Sequence, residues 1–166
     1  MKSPLDNIRQ VNYLLGNIPA TWYTKVMETK YKPKDSRYDN LRKGERSEAI
    51  ILAHLLQLDF PVSIPFGRTE RYDLIIDNGG KLEKCQCKTG QYKRGSIYFP
   101  VCSRGINGRT DYHGQIEYFL VYCPYNNSIY KVPVALSGSN TMVLRLDPFK
   151  ANAPRAKMHM ANDYQI

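Results

Sequence analysis

The clearest periodicity in the chain lies in residues 44–58. There Ile51, Leu52, Leu55 and Leu58 recur at three- and four-residue intervals and predict an amphipathic helix. Glu48 precedes Ile51 by three and Leu52 by four, so it falls on their face one turn earlier. A carboxylate on the core side of a helix start calls for a cap, an ion pair or a metal. Glu45 can serve the helix N-terminus from outside that face, so the dipole alone does not account for Glu48. Past the helix the period falls to two. Residues 62–65, 72–77, 82–88 and 96–102 read as strands, and residues 118–122 and 129–134 as a hairpin about 124–128. Residues 103–114 read as a long glycine-rich loop, a kind of segment that is commonly functional. The tail from residue 146 onward reads as a short helix or an arm.

The strands at 72–77 and 82–88 carry the chemistry. A tight turn through Asn78, Gly79 and Gly80 joins them. Asp73 lies on the first strand. Gln86 and Lys88 share one face near the end of the second, with Cys85 and Cys87 on the other. Charged groups are rarely placed on half-buried strands without a partner. Two explanations stand at this point: a divalent metal with a lysine that handles water or phosphate, or an edge strand whose outer face is solvated.

A helix acid, a strand acid, then a polar residue and a lysine two apart on the next strand: in this order Glu48, Asp73, Gln86 and Lys88 resemble the PD-(D/E)XK nuclease superfamily. Within it, the chain most resembles the small homing endonucleases of cyanobacterial and phage mobile elements. The resemblance runs over residues 47–133. It includes Ser47-Glu48-Ala49, Val62 to Gly67, Tyr72 to Ile75, Gln86-Cys87-Lys88-Thr89 and Tyr118 to Tyr122. It implies an α/β fold with a PD-(D/E)XK core: a central mixed β-sheet flanked by helices, with an N-terminal helical extension. The expected organisation is a basic, tyrosine-rich extension over 1–40, a nuclease core over 41–135 and a C-terminal extension over 136–166.

The resemblance further implies a Mg2+ (or Mn2+) site and a catalytic set of Glu48, Asp73, Gln86 and Lys88. Glu48, Asp73 and the backbone carbonyl of Cys87 would hold the metal, which prefers oxygen ligands. Lys88 would orient the attacking water or stabilise charge developing on phosphate. Two positions depart from the pattern. Tyr72 stands where the family name has proline, a position with no necessary chemistry. Gln86 stands where most members have an acid, so the site carries one carboxylate fewer.

Composition agrees with a polyanionic partner. The 24 Lys and Arg outnumber the 15 Asp and Glu, a net charge of +9 that suits a polyanionic partner or simply a soluble basic protein and favours nucleic acid over a membrane surface; the resemblance implies double-stranded DNA. Arg46, Lys93, Arg94, Arg104 and Arg109 are the expected DNA contacts. No apolar run of about 20 residues and no signal-peptide pattern is visible, so no membrane association and a cytoplasmic location are expected. Cys85, Cys87, Cys102 and Cys123 lack metal-knuckle spacing and read as buried strand thiols, although converging strands would permit a zinc site. The expected function is metal-dependent, site-specific double-strand DNA cleavage of homing type by a homodimer or homotetramer. A Holliday-junction resolvase, a restriction endonuclease and a DNA-binding module with a decayed site are the competing readings.

Overall fold

A computed structural model describes residues 36–67, 69–106, 108–147 and 158–166. The readings for residues 1–35, and for Pro148, Lys150, Pro154, Arg155 and Lys157 of the tail, lie outside them. One long helix, α1 (Ser36–Gln57), opens the described chain. It begins earlier than the apolar stripe indicates and is continuous through residue 40, where a boundary is expected from sequence. Its C-terminal half buries Ser47, Ile51 and Leu55, spaced by four. Removing the Ile51 side chain would cost about 2–5 kcal/mol. The helix stops in a Schellman motif. Asp59 turns left-handed at φ 58°, its N–H donates to Leu56 O, and the Phe60 N–H reaches back to Leu55 O at 3.1 Å. Leu58 therefore falls past the helix and is exposed, contrary to the periodic reading.

The first sheet has the order β1 (Val62–Ser63), β2 (Leu74–Asn78), β3 (Lys81–Thr89), β8 (Tyr118–Cys123), β9 (Ser128–Pro133). It is mixed, because β3 and β8 run parallel and the other pairs antiparallel. The β2–β3 turn places Gly79 and Gly80 at φ 63° and 90°, the pair of positive values that a two-residue hairpin needs. Against one face α1 packs Ile51 and Leu55 onto Leu74, Ile76, Cys85, Cys87, Leu120 and Ile129.

The other face is covered by strands instead of a second helix. β4 (Gln91–Lys93), β5 (Ser96–Pro100), β10 (Thr141–Arg145) and β11 (His159–Met160) form a second sheet in the order β11-β10-β5-β4. Ile97, Phe99, Met142 and Leu144 meet Phe119, Val121, Tyr130 and Val132 across the interface. β8 is thus buried on both faces, which explains its unbroken apolar run. The chain crosses between sheets at Gly90, where a Cβ would lie 2.6 Å from Ile97 Cγ2.

Two sequence readings are corrected. Residues 103–114 do not form a structureless loop. β6 (Cys102–Gly105) and β7 (Gly108–Asp111) pair as a two-stranded ribbon with all four β7 residues exposed. The tail is neither helix nor free arm in its described part: β11 pairs in parallel with β10, and Ala161 is buried in the core.

Candidate active site

The β2–β3 pairing fixes one acid against the next strand. The Asp73 N–H donates to Cys85 O at 2.8 Å just before β2 begins, which turns the Asp73 side chain toward β3. There its Oδ2 accepts the Cys87 backbone N–H at 2.7 Å and the Gln86 side-chain amide. Gln86 therefore does two things an acid could not do together. Its NH2 holds Asp73, and its carbonyl oxygen can accept a hydrogen bond or ligate a cation without adding charge.

Burial raises the Asp73 carboxyl above its usual 3.8. The Cys87 N–H, the Lys88 charge and the Gln86 amide pull it back without cancelling the rise. A carboxylate left under-compensated in this way favours a cation beside it. Asp73 opens into a cleft of about 450 Å3, lined also by Glu45 and Glu48 of α1, by Ile64 and Pro65, and by Glu70. Leu41 borders the same cleft, and Phe66, between the lining residues Pro65 and Gly67, is fully exposed.

Glu48 does not face the core. It is exposed and lines the cleft, while Ser47 takes the buried position ahead of Ile51. Because α1 starts at Ser36, neither Glu45 nor Glu48 is near the helix N-terminus, and the dipole explains neither. Ser47 carries part of the resemblance but has no role of its own in the sequence reading. Its hydroxyl bonds Thr89 Oγ1 at 2.6 Å and Lys43 O at 3.0 Å, tying the helix to the end of β3 directly after Lys88.

Of the expected residues, Asp73 and Glu48 line the cleft, while Gln86, Cys87 and Lys88 follow one another along β3. The Cys87 thiol is pushed well above its ordinary 9.0 by burial and then by the Asp73 and Glu48 charges, with Lys88 acting the other way. All three charges thus act on one strand position. The Cys85 thiol is pushed up to about 12, chiefly by burial. All four cysteines are buried and free, and the raised values at Cys85 and Cys87 oppose the thiolate form that zinc requires.

Among the described residues no group of three or more His, Cys, Asp or Glu side chains forms a metal cage. Two carboxylates on one open cleft, a neighbouring amide oxygen and a strand carbonyl still fit a hard divalent ion that keeps several of its waters.

The basic residues lie outside this cluster. Arg46 is exposed on α1, Lys93 and Arg94 are exposed at the β4–β5 turn, and Arg104 and Arg109 are paired in register on the ribbon. Arg109 also donates to Asn140. Sequence reasoning missed Arg71 and Tyr112. Tyr112 is buried directly after the ribbon, and its hydroxyl accepts from Lys88 Nζ at 3.1 Å.

A family model described as PD-(D/E)XK endonuclease matches residues 38–166. The chain belongs to the PD-(D/E)XK endonuclease family. Its fold is similar to that of a bacterial homing endonuclease, I-Ssp6803I, with a TM-score of 0.59 and 22% identity. The match covers 74% of this chain and 86% of that one. No curated protein matches the chain. Of the residues read against the PD-(D/E)XK pattern, Asp73 lies one residue before β2 and is hydrogen-bonded to Gln86 on β3. Tyr72, in the place of its proline, lines the cleft beside Asp73.

Proposed function

We propose that this PD-(D/E)XK protein is a metal-dependent, site-specific double-strand DNA endonuclease of homing type. The observation that carries the reading is the pinned Asp73 carboxylate, opening into the same cleft as Glu48, with Lys88 next along the strand that pins it. Glu48, Asp73 and the Cys87 carbonyl would hold Mg2+ or Mn2+, with Gln86 as a neutral oxygen nearby. The bound ion supplies charge neutralisation at the scissile phosphate and an acidified water. Asp73 is held in place before substrate arrives, so little reorganisation remains for the reaction. Lys88 directs its ammonium toward the reacting phosphate or the attacking water.

Net charge +9 and the exposed Arg104 and Arg109 support DNA as the substrate. The homing assignment is supported by the fold of the structural relative together with the motif order. Retention of Glu48, Asp73 and Lys88 speaks against a site decayed at Gln86, and Gln86 still hydrogen-bonds Asp73. Concerted cutting of two antiparallel strands by one site per chain calls for a two-fold assembly, so we assign a homodimer or homotetramer.

Cleavage mapping on a library of linear duplexes and on four-way junctions tests the reading. Cuts at a defined duplex sequence are expected. Cuts confined to junctions would make the protein a resolvase, and binding without any cut would make it a DNA-binding module.

A further inference from the structure

We propose that Tyr112 is the positioning residue for Lys88, and that Arg71 is the clamp that fixes Tyr112; the inference rests on the catalytic assignment of Lys88 above. The Lys88 ammonium lies 3.1 Å from Tyr112 Oη and 4.7 Å from the ring centroid, so hydroxyl and ring together define where the charge sits. A lysine has a long flexible stem and no fixed donor geometry, so a catalytic lysine needs such a seat. Tyr112 itself is 4% exposed, and its ring meets Phe119 edge-to-face at 5.5 Å.

Arg71 completes the seat. Its guanidinium stacks 4.2 Å from the same ring. It donates to Gln115 Oε1 at 2.7 Å, to Ser103 Oγ at 2.7 Å and to Asp111 O at 2.8 Å. One planar fork thereby grips both strands of the ribbon and the residue after it. Arg71 also lies two residues before Asp73, so a single short segment sets the position of the acid and, through Tyr112, of the lysine. The ordinary alternative is that Arg71 and Tyr112 only stabilise the ribbon, and the experiment separates the two.

Single-turnover cleavage at saturating DNA and Mg2+ would be measured for Y112F, K88A and the Y112F/K88A double variant. DNA affinity and melting temperature would be measured alongside. Y112F keeps the ring and loses the hydroxyl. Loss of a hydrogen bond to a charged group predicts a maximal rate lower by about 10-fold or more, with affinity and melting temperature at parental values. The double variant should be no slower than K88A, because Tyr112 acts through Lys88. R71K keeps the charge but loses the fork, and should slow the same step; it carries the test if Y112F fails to fold. Full parental rates in Y112F, or independent losses that multiply in the double variant, overturn the proposal. K88A cutting at the parental rate would instead overturn the catalytic assignment on which it rests.

Discussion

The most informative single residue is Gln86, because its amide joins the motif's two strands. Its NH2 sits on Asp73 Oδ2, a contact that a carboxylate side chain would turn into like-charge repulsion. Gln86→Glu should therefore act oppositely with and without metal. Metal-free protein should lose about 1–3 kcal/mol of stability as the bond is replaced by repulsion. Mg2+ should then stabilise the variant more than the parent, since a second charge favours the ion. Thermal melts with and without Mg2+ read both effects; equal Mg2+ responses in the two proteins would place Gln86 away from the metal. Asp73, Gln86 and Lys88 were legible in sequence because period-two spacing and a two-glycine turn fix their relation. Tyr112 was not: it follows a glycine-rich stretch with no alternation, and nothing local to Lys88 points to it.

At the scale of elements, two features add energetics to the chemistry. Glu83 on β3 is 2% exposed and is bound by Lys131 from β9, two strands away. Burial pushes its carboxyl up, but the bonds from Lys131 and Asn78 and the Lys131 and Lys81 charges outweigh that and hold it below the usual 4.5. A lowered folded value means that this pair contributes stability above pH 4.5, which is lost as pH falls through the lower folded value. Lys131→Met would take the main partner from the buried acid and leave it only Asn78 and the more distant Lys81, at a cost of about 3 kcal/mol near neutral pH. With only Asn78 and Lys81 left to oppose burial, Glu83 would protonate more easily than in the parent, and the deficit should narrow on acidification. Urea unfolding at pH 7 and pH 5 checks this, and a deficit that does not depend on pH would contradict it.

The ribbon places Arg104 opposite Arg109, so two like charges share one face. That is unfavourable until an anion arrives. Replacing both by Gln should lower the magnitude of the log–log salt slope of duplex binding by about two phosphate contacts. An unchanged slope would put the ribbon away from the DNA backbone. The ribbon read as a loop in sequence because β7 is exposed throughout and β6 buries only Cys102, so no apolar alternation marks it. The first half of α1 was missed for a related reason: Leu41 there is 53% exposed, so no buried stripe marks it.

For the whole molecule, the mixed sheet and its helix were expected from sequence and the second sheet was not. The second sheet joins segments far apart in the chain, β4–β5 with β10–β11, and such pairing leaves no local signature. It also changes which surface can serve assembly. The hairpin of β8 and β9 buries Phe119, Tyr122 and Tyr130, so its aromatic content lies inside the fold. Tyr118 is half-buried, and the turn exposes Tyr125, whose ring stacks on Tyr92 at 3.7 Å. Sedimentation of free and DNA-bound protein should show a dimer or tetramer. A monomer in both states, with nicked circles accumulating ahead of linear product, would contradict the two-fold arrangement.

Whether Asp73 holds the divalent ion that DNA cleavage needs is read from Mg2+-dependent duplex cleavage by the parent beside Asp73→Asn. The substitution keeps size and shape and removes the charge. The parent should cut with Mg2+ and not with a chelator, and Asp73→Asn should be slower by about 100-fold or more while binding duplex as tightly. Cleavage by the parent in chelator, or parental rates from Asp73→Asn, would contradict the account.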